Sequence, residues 1–345
     1  MNTKYYDGVK LLSMMDLHGK KPEIYICTTN RTGGKTTFFN RLVVNKWLDK
    51  GEQFCLLYRF KYELDDVVEK FFSDIQSLFF KEHEMKSIKV AKGIFQALLL
   101  DDVVCGYAVA LNCADQIKKY SHVFKDVKRI LFDEFQSETN EYCDNEVKKF
   151  QSIHTSIARG HGEQVRYVPV YMISNPVTIL NPYYVSMHIS SRLGENTKFL
   201  KGDGFVLEQG FVESASIAQK ESAFNRAFAG DEYLAYSSEG IYLNDKKTFV
   251  EKVTGKSKYI CTLKYKNKYF GIREFVELGI VYCDDRADMT CPHKVAVTTD
   301  DHQINFVMMK QYNIFLVNMR YYFEKGCFRF KNLACKECIM DMLSY

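Results

Sequence analysis

From residue 24 to residue 37 the chain reads Ile24-Tyr25-Ile26-Cys27-Thr28-Thr29-Asn30-Arg31-Thr32-Gly33-Gly34-Lys35-Thr36-Thr37. Residues 23 to 27 alternate and are rich in β-favouring side chains, which predicts a strand, and residues 37 to 47 carry apolar side chains at helical spacing. A Gly-Gly turn that ends in Lys-Thr therefore lies between a strand and a helix. This arrangement is typical of a phosphate-binding loop.

The loop residues have the chemistry that a bound triphosphate and its cation require. Gly33 and Gly34 let the backbone fold tightly, so that successive N–H groups point inward and the following helix adds its positive end. Lys35 is expected to reach the β and γ phosphates, and the Thr36 hydroxyl to bind Mg²⁺. The nucleotide-binding residues predicted in the loop are Asn30, Arg31, Thr32, Gly33, Gly34, Lys35, Thr36 and Thr37.

One position departs from the usual pattern of such loops. Thr29 stands six residues before the lysine, where glycine is usual. Taken alone, the loop also fits a strand-turn-helix corner with a surface lysine. The choice between these interpretations depends on a second motif.

The second motif is an apolar segment from residue 127 to residue 135 that ends in two adjacent acids, Asp133 and Glu134. A buried strand places Asp133 at the carboxyl edge of the sheet, where it can hold the water shell of Mg²⁺, and Glu134 can polarise a water for attack on the γ-phosphate. Adjacent carboxylates are unfavourable unless a cation lies between them. The two motifs together predict a P-loop domain that hydrolyses ATP with Mg²⁺.

Two further segments supply candidate site residues. A strand predicted from residue 167 to residue 176 closes on a polar end, where Asn175 can hydrogen-bond the γ-phosphate or the attacking water; Asn before Pro is also a good turn. A helix predicted over 146–159 ends at Arg159, which suits an arginine finger that reaches a neighbouring subunit's nucleotide. Arg166 is the next candidate. The alternative for Arg159 is an ordinary helix end, where Arg and Gly are favoured.

The rest of the chain predicts more than one domain. A chain of 345 residues is long for one domain. Composition divides it into a P-loop ATPase domain over 1–200, a linker over 201–237 with one amphipathic helix at 214–228, and a C-terminal domain over 238–345. Further predicted elements are strands at 54–59, 103–111, 240–243, 259–265, 269–273, 279–283 and 306–309, and helices at 64–80, 113–120 and 314–323.

Composition limits the cellular setting and the partners. No apolar run approaches the roughly 20 residues of a membrane span, no signal peptide is recognised, and the eleven cysteines mostly lie singly in apolar runs, so we expect free thiols in a cytoplasm. The net charge of +4 is uninformative, but lysines interleaved with tyrosines between residues 246 and 269 indicate a phosphate-facing surface or a solvated strand face.

With these motifs in order, the chain resembles the genome-packaging ATPases of small tailed phages, the phi-29-like group of the additional-strand, catalytic-glutamate (ASCE) class. The resemblance covers most of the chain and is strongest from about residue 20 to residue 185. It rests on residues 30–36, on 131–135, and on 173–176 leading to Asn181-Pro182-Tyr183. It implies an α/β fold: an ASCE-type ATPase domain with a mostly parallel sheet, a short helical linker, and a smaller α+β domain. That smaller domain is expected to resemble a vestigial RNase H-like nuclease and to bind DNA or the portal.

The resemblance also implies roles and partners. Lys35 and Thr36 correspond to the Walker A pair, Asp133 and Glu134 to the Walker B pair, and Arg31 to an arginine that senses or moves with the γ-phosphate. Arg159 corresponds to the trans-acting finger. The implied assembly is a homo-oligomeric ring, a pentamer in this group, docked on the portal of an empty capsid in the host cytoplasm, with RNA left open as a further partner.

The predicted function is therefore ATP-driven translocation of double-stranded DNA into a procapsid. The alternatives are another ring-type nucleic-acid motor or helicase of the same ATPase class, a terminase with an active nuclease, a small-molecule kinase, and a nucleotide-dependent scaffold without hydrolysis. An active nuclease needs acids from separate strands that converge on two metal ions. The acids available in the second domain are Asp284, Asp285, Asp288, Asp300 and Asp301.

Overall fold

The computed structural model describes residues 4–139, 141–159, 162–179, 181–190, 192–193, 197–240, 249–309 and 312–344. The chain divides into two compact units, Met1–Asn244 and Asp245–Tyr345. Each unit has its own hydrophobic core. The strand predicted over 240–243 falls almost wholly on residues 241–248, outside the described residues, as do Lys246 and Lys247.

A nine-stranded sheet forms the centre of the first unit. Its spatial order is β3-β4-β5-β2-β6-β7-β1-β9-β8. The six strands from β5 to β9 in that order are parallel, and antiparallel pairs close both edges. The strands are β1 (Ile24–Thr28), β2 (Gln53–Tyr58), β3 (Met85–Val90), β4 (Phe95–Leu100), β5 (Val103–Ala110), β6 (Val127–Asp133), β7 (Val170–Ser174), β8 (Phe199–Lys201) and β9 (Phe205–Gln209).

Helices cover the sheet, and the parallel strands are buried almost throughout, as expected for strands packed on both faces. The α-helices are α1 (Val9–Ser13), α2 (Lys35–Lys50), α3 (Val67–Phe71), α4 (Ser73–Phe79), α5 (Ala114–Ile117), α6 (Glu146–Ile157), α7 (Pro182–Ser186), α8 (Glu213–Glu221), α9 (Ala223–Ala227) and α10 (Glu232–Glu239). Short 3₁₀ segments lie at Lys61–Leu64, Ala91–Gly93, Leu111–Cys113 and Lys118–Phe124.

The strand order positions the candidate site. β7 lies between β1, which precedes the P-loop, and β6, which ends in Asp133. The P-loop strand and the acidic strand are thus separated by one additional strand, as the resemblance to the ASCE class implies. The predicted α/β fold with a mostly parallel sheet is confirmed.

The segment 201–237 differs from the predicted linker. β9 pairs directly with β1 over the whole of that strand, so this part of the chain belongs to the central sheet. The single helix predicted over 214–228 is instead α8 and α9, which Ser222 separates by capping α9. The sequence pattern missed this because β9 is only five residues long and its pairing with β1 is remote in sequence.

The second unit is built on a six-stranded sheet of order β14-β13-β10-β11-β12-β15. β10, β11 and β12 form an antiparallel meander, whereas β13, β14 and β15 join by parallel pairing. The elements are β10 (Lys258–Tyr265), β11 (Lys268–Phe275), β12 (Ile280–Asp284), β13 (Lys294–Ala296), β14 (Val307–Met308), α11 (Ile314–Glu324), β15 (Phe328–Phe330) and α12 (Leu333–Ser344), with 3₁₀ segments at Val276–Leu278 and Thr299–Asp301.

The acids of the second unit have separate structural partners. Asp284 accepts a hydrogen bond from Arg273 at 2.9 Å, and Asp285 is bound by Lys331. Asp301 accepts from the backbone N–H groups of the turn between β10 and β11, and Asp288 bonds Thr290. The described part of the chain holds no grouping of three or more His, Cys, Asp or Glu side chains arranged for a metal ion.

The cysteines, the helices and the lysine-rich segment each bear on an expectation from composition. All eleven cysteines have free thiols, as predicted. Among the described residues, no helix has both the length and the apolar composition needed to cross a bilayer. Of the lysine-rich segment, Lys264 is buried and Lys266 pairs with Glu337 at 2.7 Å, so these two lysines do not form a free phosphate-facing surface.

Candidate nucleotide-binding and hydrolysis site

The carboxyl ends of four neighbouring parallel strands form the candidate site. Thr28 of β1 lies beside Ser174 of β7, Asp133 of β6 lies beside Ile173, and the next strand, β2, ends in the same row. Ligands of open α/β sheets bind at this edge. The topology therefore brings the loop after β1, the amide after β7 and the acids after β6 to one place.

The P-loop has the turn conformation that its glycines permit. Gly34 has φ +89°, a left-handed conformation, and it caps α2, which begins at Lys35. A Cβ on Gly33 would lie 2.9 Å from a methyl carbon of Val212. Thr37 is half-buried in the first turn of α2. The loop can therefore bring its backbone N–H groups and the N-terminus of α2 to one anion.

Lys35 is buried at the centre of the site. Its Nζ donates a hydrogen bond to Oδ1 of Asn175 at 2.7 Å, and only 6% of the residue is exposed. Asn175 follows β7, the strand between the P-loop and the acids. The amide therefore holds the lysine where a γ-phosphate of a bound nucleotide can take its place as acceptor.

Asn30 connects the P-loop to the segment that follows β9. Its side-chain amide donates to the carbonyls of Val212 at 3.0 Å and Ser238 at 3.2 Å, and its Oδ1 accepts from the Val212 N–H at 2.9 Å. The Arg31 N–H donates to the Ser237 carbonyl at 2.9 Å. Asn30 is fully buried, so its amide fixes the loop rather than facing a ligand.

Thr29, where glycine is usual, fits because a glycine lies directly after the neighbouring strand β9. The Gly210 N–H donates to the Thr28 carbonyl at 2.7 Å, and a Cβ on Gly210 would lie 2.9 Å from the methyl group of Thr29. The absence of a side chain at Gly210 therefore leaves room for the Thr29 methyl group.

Asp133 lies against the start of α2. The Thr36 side chain is close enough to the Asp133 carboxylate to lower its pKa. Burial raises the pKa of Asp133 above its ordinary value, although Lys35 and Thr36 oppose that rise. A hydroxyl and a carboxylate side by side, beside a loop that can hold phosphates, are the hard oxygen ligands that Mg²⁺ prefers. The residues present therefore fit a Mg²⁺ site.

Glu134 occupies a tight turn directly after β6. Its φ is +56°, a left-handed conformation that non-glycine residues seldom adopt, and its N–H donates to Oδ1 of Asp133 at 2.8 Å. The residue is exposed at the mouth of the site, yet removal of water around its carboxyl group, together with the nearby Asp133 charge, raises its pKa to about 7. Such a carboxylate can accept a proton near neutral pH.

Arg31 projects from the loop into a small polar network. Its guanidinium pairs with Glu138, and the Tyr236 hydroxyl of α10 donates to the same carboxylate at 2.5 Å. The Arg31 guanidinium also lies over the rings of Tyr233 and Tyr236, at 5.5 and 5.8 Å from their centroids. In addition, Gln219 of α8 donates to the Arg31 carbonyl at 2.7 Å. Helices α8 and α10 therefore cover the tip of the loop.

The two arginine-finger candidates lie at the opposite edge of the sheet. Arg159 is exposed just beyond α6, which runs back from the site towards the amino ends of the strands. Arg166 is a poor candidate for a finger, because it is only 5% exposed and donates to backbone carbonyls, among them those of Val127 and Ile157. Burial lowers the pKa of Arg166. Its position shows a structural role.

Sequence reasoning did not identify three residues of this region. Glu138 and Tyr236 escaped it because they join the loop only through tertiary contacts. Arg59 could have been identified from its place after the apolar strand β2. Because β2 lies beside β6, a residue that follows β2 must lie near the two acids that end β6.

The chain is similar to phage DNA packaging proteins over nearly its whole length. The sequence profile of the podovirus DNA encapsidation protein (Gp16) family matches residues 2–344. The chain is 27% identical over 313 residues to a DNA packaging protein of Bacillus phage phi29, covering 90% of each protein. A chain of the bacteriophage Phi-29 viral genome packaging motor assembly is 25% identical, with a TM-score of 0.69, over 99% of this chain and 100% of that one. The Phi-28 gp11 DNA packaging motor shares the fold at 17% identity, with a TM-score of 0.61, over 99% and 98% of the two chains.

Proposed function

The chain belongs to the podovirus DNA encapsidation protein (Gp16) family, and we propose that it is an ATPase that drives double-stranded DNA into a phage procapsid. The observation that carries the proposal is the convergence of Lys35, Thr36, Asp133 and Glu134 at one sheet edge. A phosphate loop beside paired carboxylates is the arrangement required for hydrolysis of a nucleoside triphosphate.

Each residue has a role in this proposal. The P-loop N–H groups and Lys35 bind the β and γ phosphates, and Asn175 holds the lysine before the nucleotide arrives and contacts the γ-phosphate or the attacking water afterwards. Thr36 and Asp133 would hold Mg²⁺, which would neutralise charge on the phosphates. Glu134 orients the attacking water and accepts its proton.

Hydrolysis becomes translocation only in an assembly. We infer a homo-oligomeric ring, pentameric as implied by the resemblance, that docks on the portal of the procapsid in the host cytoplasm and acts on duplex DNA. Arg159 is the residue proposed to reach the nucleotide of a neighbouring subunit, since it is exposed and lies at the sheet edge opposite its own P-loop. A modest net charge suits a ring that must slide along phosphates.

The test of the hydrolytic role is the variant Glu134→Gln, assayed for turnover with and without duplex DNA. We expect ATP binding to be retained and turnover to fall by about 100-fold or more, because the amide cannot accept the proton of the attacking water. The matched control is Glu141→Gln, an exposed position in the segment that follows β6. Turnover near the wild-type rate in Glu134→Gln would remove the assignment of the base.

A further inference from the structure

Arg59 is a buried cation that contacts the backbone of the proposed catalytic turn. It follows β2, whose last residues pair with the end of β6, and only 7% of the residue is exposed. Its two terminal nitrogens each lie 3.3 Å from the Glu134 carbonyl oxygen, and one of them donates to the Phe135 carbonyl at 2.8 Å. Arg59 therefore binds two successive carbonyls where the chain leaves the sheet.

A second set of contacts fixes the guanidinium itself. Its Nε donates to both carboxylate oxygens of Glu146, at 3.2 and 3.0 Å, and Glu146 is only 3% exposed. Glu146 also accepts from the Tyr183 hydroxyl at 2.8 Å and from the Cys143 N–H at 2.8 Å. The guanidinium lies over the Tyr142 ring, 5.0 Å from its centroid. A buried ion pair with this many partners leaves Arg59 little freedom to move.

The turn that Arg59 binds needs such support. Glu134 has φ +56°, and such a left-handed non-glycine conformation persists where the surrounding structure holds it. The backbone conformation at Glu134 sets the direction of its Cα–Cβ bond, and this bond sets where the side chain points. A shift of the turn would move the carboxylate away from the γ-phosphate even though every nucleotide-binding residue stayed in place.

We propose that Arg59 is a positioning residue for the reaction: its guanidinium fixes the backbone turn at Glu134 and thereby aims the Glu134 carboxylate at the attacking water. This inference rests on the proposed ATPase function. Arginine is required because its planar fork donates to two carbonyls and a carboxylate at the same time, whereas a lysine ammonium is a single point of charge.

The test is the variant Arg59→Lys, which keeps the charge opposite Glu146 but loses the fork. We expect kcat to fall by about 10- to 100-fold while KM and the directly measured affinity for ATP change by less than about twofold, because the P-loop is untouched. Tyr183→Phe, which removes one hydrogen bond from Glu146, should lower kcat in the same direction by a smaller factor. It is the reserve variant if Arg59→Lys fails to fold.

The matched control is Arg166→Lys. Arg166 is equally buried and also donates to backbone carbonyls, but at the opposite edge of the sheet. It should lower Tm without the selective loss of kcat. Arg59 is merely structural if its variant loses no more kcat than the control at an equal loss of Tm, or if ATP affinity falls together with kcat. If the wild-type protein does not hydrolyse ATP, both the proposed function and this inference fail. If the wild-type protein hydrolyses ATP and Arg59→Lys shows no selective loss of kcat, only the role of Arg59 fails.

Discussion

At the scale of single residues, the charge of Arg31 is already compensated before a nucleotide is bound. Its partner Glu138 lowers the cost of placing a cation in the tip of the loop, and the two tyrosines of α10 hold the pair. Burial opposes ionisation of Glu138, but its hydrogen bonds with Tyr236 and Arg31 hold its pKa below the ordinary value. A triphosphate in the loop must therefore compete with this carboxylate for Arg31.

Removal of that competitor should strengthen nucleotide binding. In Glu138→Gln we expect the Kd for ATP to fall by about 2- to 5-fold, because a partly exposed ion pair of this kind is worth under about 1 kcal/mol and a negative charge near the phosphates is lost. The measurement is equilibrium titration with ATP. Tyr236→Phe, which keeps the Glu138 charge, is the control. Weaker binding by Glu138→Gln would mean that Glu138 supports the loop instead of competing for Arg31.

At the scale of elements, α6 runs from the carboxyl ends of the parallel strands, where the site lies, to their amino ends. Its first residue, Glu146, is the partner of Arg59, and near its last turn His154 contacts the segment just before β1. Nε2 of His154 lies 3.0 Å from the Val168 carbonyl and 3.5 Å from Oε1 of Glu23. Burial alone would lower the pKa of His154, but hydrogen bonds to Glu23 and to that carbonyl raise it above its ordinary value.

The directions of the His154 and Glu23 pKa shifts determine how the stability of the fold depends on pH. The contribution of His154 to stability is complete below its ordinary pKa of about 6.5 and is lost as pH rises through the raised folded value. Burial would raise the pKa of Glu23, but its bonds to His154 and the Val168 N–H lower it. Its contribution is present above about pH 4.3 and is lost as pH falls through its folded pKa. The His154–Glu23 pair therefore stabilises the folded protein most between about pH 4.3 and about pH 6.5.

The matching prediction compares Tm of wild type and His154→Gln across pH. We expect the variant to lose about 1 kcal/mol, or about 2–4 °C, near pH 5–6, and the difference to narrow as pH rises into the alkaline range. His122→Gln changes an exposed histidine and serves as the control. A difference that grows with pH would exclude a charged His154.

The boundaries of the elements also show where the local sequence pattern failed to predict the structure. The helix predicted over 64–80 is two short helices, α3 and α4, and Asp66 precedes the first with φ +58°. The β3–β4 hairpin was not predicted, because β3 is exposed over most of its length and shows little apolar alternation. In contrast, β1, β2, β5, β6 and β7 were predicted within three residues at either end, since buried parallel strands are continuous apolar runs.

At the scale of the whole molecule, the proposed arginine finger would have to come from a neighbouring subunit. Within the described residues, Arg159 lies beyond the far end of α6, so it cannot serve its own nucleotide without a large rearrangement. A finger in trans would make turnover a property of the ring rather than of the isolated chain.

Mixing of inactive subunits tests this. Arg159→Ala and Lys35→Ala should each lack turnover alone, and their mixture should recover up to about a quarter of wild-type turnover at random 1:1 assembly, where an intact finger meets an intact P-loop. The measurement is steady-state ATPase activity across mixing ratios. Arg166→Ala in place of Arg159→Ala is the control for a buried arginine. Absence of recovery at every ratio would argue against a shared active site.

The sequence by itself determined the fold class and predicted the chemistry of the centre. The Gly33-Gly34-Lys35-Thr36 turn after a strand and the Asp133-Glu134 pair after another are local signals, because parallel strands end at a common edge. They sufficed to predict an α/β nucleotide-binding domain, and the structure confirms the α/β fold.

Only the tertiary structure decided what surrounds that centre. Gly210 makes room for Thr29, α8 and α10 cover the loop, Arg59 holds the turn at Glu134, and Arg166 is a buried structural residue rather than a finger. Each of these depends on contacts between residues far apart along the chain. Local pattern fixes which face of an element is apolar, whereas the pairing of strands and the packing of helices fix which remote side chain completes a hydrogen bond.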